Sequence, residues 1–168
     1  PDYSSAASDV YKRQQLGALA TIASTEGVTI DYVKPHGSLY NRMMDDLELM
    51  EELMTAIARS QFDIPFMILG TAEHETHSEL ADGLGVSLLF EAFADRRYTP
   101  DGRLQSRKIE ASVYDDTQHI LDQAGQIISK QQIVSSDGSR IKIRADTLCV
   151  HGDNQESIEI VKSLRALC

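Results

Sequence analysis

The chain has no tryptophan, two cysteines, four prolines and too little positive charge to balance its acids. Each scarcity removes a class of function. Cys149 and Cys168 stand in no CxxC or Cys/His zinc spacing, and a reducing, cytoplasmic setting is expected. Cys149 lies in an apolar run and is expected to be a buried thiol. Sixteen Lys and Arg against 26 Asp and Glu leave a formal charge of −10. A surface this acidic repels phosphate backbones and anionic lipid, which argues against nucleic acid and membrane as partners. No apolar run approaches the roughly 20 residues that span a bilayer, and the N-terminus shows no apolar core of a secretory signal. There is no GxxxxGK[ST] phosphate loop, no GxSxG elbow, no HExxH and no Cys/His nucleophile pair. Gly83-Leu84-Gly85 reads as a helix stop rather than a dinucleotide fingerprint.

What is present suits a globular enzyme-like domain. A length of 168 residues argues for one domain, and 42% hydrophobic residues suffice for a core. Arg96, Arg97, Arg103, Arg107 and Lys108 crowd one stretch, five of the sixteen basic residues, and hint at a local anion site. The first fourteen residues differ from the rest. They lack a hydrophobic period, and SSAASDVYKRQ resembles the in-frame translation of a transposase-type sequencing adapter. Residues 1–14 are therefore expected to be a non-native or disordered tail. Residues 15–168 are expected to be the folded part.

Hydrophobic periodicity places the elements. Leu16 to Ser24 is helical, with Leu16, Leu19, Ala20 and Ala23 on one face and Gly27 as its stop. Val28 to Val33 reads as a short strand. Met43 to Ser60 reads as one amphipathic helix. Ile64 to Leu69 is a strand covered on both faces, followed by a helix over Ala72 to Asp82 and a strand over Val86 to Phe93. Tyr114 to Ser129 is helical. Gln132 to Val134 and Ile141 to Ile143 flank a hairpin turn at Asp137-Gly138. Thr147 to Val150 is a strand, and Ser157 to Leu167 closes the chain as a helix with Ile158, Val161 and Leu164 inside. Strands alternating with helices mean an α/β fold with parallel strands and right-handed crossovers.

Three strands run into unusual turns: VKPHGSLYN, FADRRYTPDGRLQSR and ADTLCVHGDN. In parallel sheets the strand C-terminal ends face the ligand, so the three turns are expected to share one mouth. His36 and His151 each end a strand and precede glycine, where an imidazole can shuttle protons or ligate a metal. Asp95 and Asp153 can orient a histidine, bind a cation or act as base. Lys34, Arg96 and Arg97 suit a carboxylate or phosphate. His74 and His77, at i and i+3, are read as a solvated helix face, and His119 as a surface residue.

These three turns, with QLGALATIA near the start, resemble the signatures of the LamB/YcsF family, the A subunit of the bacterial ATP-dependent 5-oxoprolinase. The likeness runs from about Gln15 to the C-terminus. It implies a TIM-like βα barrel, here partial, because the family's N-terminal strands with their DLN-, ACGFHAGD- and GAHP-type motifs have no counterpart in the chain. It implies opening of the lactam of 5-oxo-L-proline to L-glutamate with ATP hydrolysis, alongside partner subunits B and C. The polar residues shared by position are Lys34, His36, Tyr40 and Asn41; Asp95, Arg96, Tyr98, Asp101 and Arg107; and His151, Gly152 and Asp153. Ser38 stands where alanine is usual.

On that resemblance His36, Asp95, His151 and Asp153 are the expected catalytic groups. Lys34, Asn41, Arg96, Tyr98 and Arg107 are the expected substrate- or phosphate-binding ones. ATP is the expected co-substrate, and a divalent metal is left open. Two alternatives stand beside this reading: a metal-dependent hydrolase of the polysaccharide-deacetylase kind, and a non-catalytic subunit that presents the lactam to B and C.

Overall fold

The structure, a computed structural model, describes residues 5–60, 62–151 and 155–165. The chain divides into two compact units, Pro1–Ile68 with Thr76–Leu89, and Leu69–Glu75 with Phe90–Cys168. Strand β1 (Phe66–Leu69), helix α4 (His74–Leu84) and strand β2 (Leu88–Phe93) each contribute residues to both. Strands β1, β2 and β5 (Thr147–Cys149) form a three-stranded sheet in the order β1-β2-β5. The β2–β5 pairing is parallel, setting Glu91 on Thr147, Ala92 on Leu148 and Phe93 on Cys149. The α/β fold with parallel strands expected from the alternation is therefore present. Among the described residues no helix is long and apolar enough to cross a membrane.

In the first unit, α1 (Ser5–Thr25) and α2 (Ser38–Asp45) both pack on α3 (Leu47–Ala58). Helix α1 starts before Leu16, within the stretch expected to be a tail. Of its expected inner face only Leu16 is buried; Ala20 and Ala23 are half-buried and Leu19 is exposed. The single helix expected over Met43 to Ser60 is two helices broken at Asp46. That residue takes an extended backbone, and its carboxylate accepts the Leu49 N–H, capping α3. A short acceptor side chain of this kind favours a helix start over a helix interior, by about 1 kcal/mol. The methionines fill the core, with Met43, Met50 and Met54 wholly buried. The strand expected over Val28 to Val33 shrinks to one parallel bridge from Val33 to Phe66, secured by Val33 N–H to Pro65 O and Met67 N–H to Val33 O. Val28 and Tyr32 are exposed. Residues 28–32 carry strand-like side chains without the covered face that would make them stabilising. The solvated-face reading of α4 is corrected at His77, which is buried.

In the second unit, α5 (Thr117–Lys130) and α6 (Gln155–Arg165) pack together over the end of β2. Ala94, Ile120, Ala124, Ile160 and Leu164 form one buried cluster. Ile160 and Leu164, one turn apart, are the buried pair of α6; Val161 is half-buried, and the side chain of Ile158 lies outside the described residues. The hairpin forms as expected, β3 (Gln132–Val134) pairing antiparallel with β4 (Arg140–Lys142) as its own two-stranded sheet. Gly138, at φ 87°, and the Asp137 carboxylate shape its turn. Cys149, expected buried, is half-buried, and Cys168 lies outside the described residues.

One glycine is fixed by a close approach. Gly70 follows β1, and its N–H donates to the Glu91 carbonyl at 2.8 Å. A Cβ there would sit 1.9 Å from the backbone oxygen of Arg144. Only a residue without a side chain lets these backbones meet.

Candidate functional site

The second turn begins where β2 stops. Its backbone is held on several sides. Ala94 N–H extends the ladder to the Cys149 carbonyl at 2.9 Å, and the Asp95 carbonyl accepts from Tyr114 N–H at 2.8 Å. Arg97 N–H donates to the Ser112 carbonyl at 3.0 Å. From α5 the buried Gln123 donates its amide nitrogen to the carbonyls of Phe93 (2.8 Å), Ala94 (3.0 Å) and Arg96 (2.8 Å). From inside the turn the Tyr98 hydroxyl accepts the Phe93 N–H at 2.7 Å.

This frame delivers Asp95 to the third turn. One oxygen of its buried carboxylate accepts both the backbone N–H of His151, at 2.9 Å, and the ring Nδ1–H, at 2.7 Å. On the far side of the ring, Nε2 stands 2.7 Å from Nη2 of Arg107. A guanidinium only donates, so Nε2 must accept, and the proton sits on Nδ1. The three side chains thus form a directed chain: Arg107 gives to His151, and His151 gives to Asp95. The imidazole also stacks on Phe93, with ring centroids 5.9 Å apart and planes 23° apart. A carboxylate fixing the Nδ1 tautomer while Nε2 faces outward is the arrangement that prepares a histidine for proton transfer. The other Asp95 oxygen is buried and has no hydrogen-bond partner among the described residues.

The remaining predicted residues divide. Arg96 is buried, and its Nη2 donates to the Gln105 carbonyl at 2.6 Å. Burial lowers its pKa, the nearby Arg107 charge adds to that, and Asp95 opposes it. Its Nε is buried with no hydrogen-bond partner among the described residues. Tyr98, expected to bind substrate or phosphate, is wholly buried, and its hydroxyl holds the end of β2. Burial raises its hydroxyl pKa well above the ordinary tyrosine value, and the phenol stays neutral. Arg97 lies over the Tyr114 ring at 5.0 Å, and Arg103 pairs with Glu73 at 2.7 Å. Asp101 is exposed, and Asp153 and Gly152 lie outside the described residues.

The first turn belongs to the first unit. Pro35 is buried, Lys34 is half-buried, and His36 and Asn41 are exposed. The Lys34 ammonium sits 5.2 Å from the ring centre of the buried Tyr40. Gly37, at φ 64°, turns the chain into α2. Lys34 and His36 border a cleft of about 420 Å³ whose apolar wall includes Leu16, Leu53, Ile57 and Phe66. Of the three predicted turns, the structure joins the second to the third directly, through Asp95, Arg107 and His151.

Sequence reasoning missed Gln123. Its signal was there: a glutamine on the edge of the buried face of an amphipathic helix, one turn after Ile120 and one turn before Ile127. His119 is at the surface as expected, with Nδ1 2.6 Å from the Asp116 carboxylate and its ring stacked on Tyr114.

The fold and site define an α/β protein with parallel strands and a carboxylate–imidazole–guanidinium chain at its strand ends. The chain matches the LamB/YcsF family over residues 3–168 and belongs to it. It is 43% identical over 152 residues to the 5-oxoprolinase A subunit numbered 3 of Pseudomonas aeruginosa, covering 90% of this chain and 61% of that protein. It is 42% identical over 151 residues to the 5-oxoprolinase A subunit of Chromohalobacter salexigens, covering 90% of this chain and 60% of that protein. Its fold is similar to the crystal structure of a lactam utilization protein from Thermus thermophilus, with a TM-score of 0.83 and 26% identity, covering 99% of this chain and 65% of that one. The chain spans about 60% of the length of the curated relatives it matches.

Proposed function

We propose that this chain is part of the A subunit of an ATP-dependent 5-oxoprolinase, which opens the lactam of 5-oxo-L-proline to L-glutamate together with the B and C subunits in the cytoplasm. The observation that carries the reading is the run of relatives bearing that subunit's name at 40–43% identity over 89–90% of the chain. Residues 15–168 are proposed as part of a βα-barrel domain, a partial TIM-like barrel in the present chain.

A five-membered lactam is a resonance-stabilised amide that water attacks slowly. ATP, as co-substrate, makes the ring carbon more electrophilic by phosphorylating the amide oxygen. ADP leaves in that step. One water then adds to the ring carbon and the C–N bond opens, the nitrogen taking a proton, to leave an acyl phosphate; a second water cleaves it to L-glutamate and phosphate. In this scheme His151 moves the proton between water and ring nitrogen through Nε2, and Asp95 keeps Nδ1 protonated and steadies the imidazolium. Arg107 offers its positive charge to the substrate carboxylate or a phosphate oxygen. The guanidinium meets only a neutral imidazole at His151, whereas an anion adds direct charge–charge attraction and a two-pronged geometry, so an anion draws the guanidinium away and uncovers Nε2. Arg96 backs the turn and adds positive potential. Lys34, His36 and Asn41 are proposed reaction groups of the first unit, and Asp153 a proposed one of the third turn.

A divalent metal does not fit the Asp95–His151 pair as arranged. One Asp95 oxygen and both ring nitrogens are engaged, a guanidinium stands alongside, and the second Asp95 oxygen is left as a single donor atom. Among the described residues no three His, Cys, Asp or Glu side chains gather into a metal-binding group.

The test is glutamate release from 5-oxo-L-proline with the B and C subunits, with and without ATP, by this chain and by a form extended to the length of its relatives. ATP-dependent release that vanishes when the A subunit is left out supports the reading. Release by B and C alone at the full rate would end it.

A further inference from the structure

We infer that Gln123 is a positioning residue of the site, holding the backbone on both sides of Asp95 so that its carboxylate meets His151. For the catalytic consequence this rests on the function proposed above; for the geometry it does not.

Three carbonyls converge on the Gln123 amide nitrogen, those of Phe93 and Ala94 before Asp95 and of Arg96 after it. Three acceptors settle which end of the amide faces the turn, since the oxygen would be repelled by all of them. An amide has two N–H groups, so one is shared between acceptors. The Asp95 carbonyl is taken separately by Tyr114 N–H. Every backbone carbonyl from Phe93 to Arg96 therefore has a donor, and three of the four accept from the same side chain. Around it α5 is apolar, with Ile120, Ala124 and Ile127 buried. An aliphatic residue would pack equally well and lose less rotamer freedom, so the amide is explained by the turn and not by the core.

The turn has little other reason to be held so closely. Asp95 binds both the backbone and the ring of His151 through one oxygen, and this depends on where the Asp95 Cα lies. A displacement of about 1 Å at a reacting group costs on the order of 10²-fold in rate.

The experiment compares Gln123→Leu with Ile127→Val, a control on the same buried face, in the full-length protein reconstituted with B and C. Two quantities are read: the resonance of the His151 ring Nδ1–H proton, and kcat with KM. The expected result for Gln123→Leu is loss or a large upfield shift of that proton signal. Its kcat should fall about 10- to 100-fold, with KM changed less than about threefold. Ile127→Val should lower Tm while leaving the signal and kcat unchanged. If Gln123→Leu does not fold, Gln123→Asn, which keeps the amide but retracts it by one methylene, should show the same loss. A Gln123 variant that folds with the wild-type His151 signal overturns the proposal, as does a rate loss no larger than the control's. An inactive wild-type complex would count against the proposed function alone, because the proton signal still decides the role of Gln123.

Discussion

Asp95 receives two N–H groups of His151 on one carboxylate oxygen, the ring at 2.7 Å and the backbone at 2.9 Å. The double grip fixes both where the histidine begins and how its ring is turned. Asp95→Asn replaces a pure acceptor with a group that must present either oxygen or nitrogen. If nitrogen faces the ring, Nδ1 becomes the acceptor and the tautomer inverts. The expected loss in glutamate formation is about 10²-fold or more, with circular dichroism unchanged. Near-full activity would remove the pair from the mechanism.

Arg107 is exposed where it meets His151. An exposed contact of this kind contributes at most about 1 kcal/mol, so Arg107→Gln should unfold within that margin of the wild type in urea. Its effect should fall on anions instead. Loss of one charge-assisted pair, about 1.5–3 kcal/mol, weakens ATP or 5-oxoproline binding by roughly 10- to 100-fold. Equilibrium titration of each ligand would show which of the two Arg107 serves.

The hydroxyl of Tyr98 is the acceptor for a buried N–H. Tyr98→Phe keeps the ring and deletes that acceptor, leaving the Phe93 N–H unsatisfied. The expected cost is about 1–3 kcal/mol in denaturant unfolding. Equal stability of the two proteins would show that the end of β2 has another anchor.

At Gly70 the obstacle is backbone. The Arg144 oxygen that a new Cβ would strike cannot rotate away. Gly70→Ala should destabilise by about 1–3 kcal/mol or more, read as a lower urea midpoint or loss of soluble protein. Gly83→Ala, which meets nothing within 4 Å, is the matched control and should be neutral or stabilising.

The start of α5 should respond to acid. Asp116 accepts the Gln118 N–H and pairs with His119, and these hold its pKa below the ordinary carboxylate value of 3.8. A depressed carboxylate stabilises the fold above its unfolded pKa and ceases to do so as pH falls through the folded one. Asp116→Ala should therefore lower Tm at neutral pH, and the difference should close in acid below the normal carboxylate range. A difference that persists there would assign the effect to packing.

The parallel α/β architecture was legible because Ile64–Leu69 is a continuous apolar run, typical of a strand covered on both faces, and because strands alternate with helices along the chain. The hairpin was legible because Asp137-Gly138 is a turn by its own chemistry. Val28–Val33 misled, since alternation reports strand-forming side chains but not whether a neighbour exists to pair with them. The break at Asp46 was hidden inside a good helical period; a capping aspartate and an interior one look alike until the backbone is seen. Of the site, the turns announced themselves through His, Arg and Gly at strand ends. Their scaffolding did not: Tyr98 resembled a ligand contact, and Gln123 an ordinary polar residue. Hydrogen bonds between distant segments leave no periodic trace in a sequence.

The exposed guanidinium on His151 also bears on how the protein should be handled. Phosphate and sulfate buffers would compete for Arg107 and so act as reagents rather than as bystanders. An assay in such a medium would record the imidazole already uncovered, while one in a zwitterionic buffer of low ionic strength would begin from the closed contact.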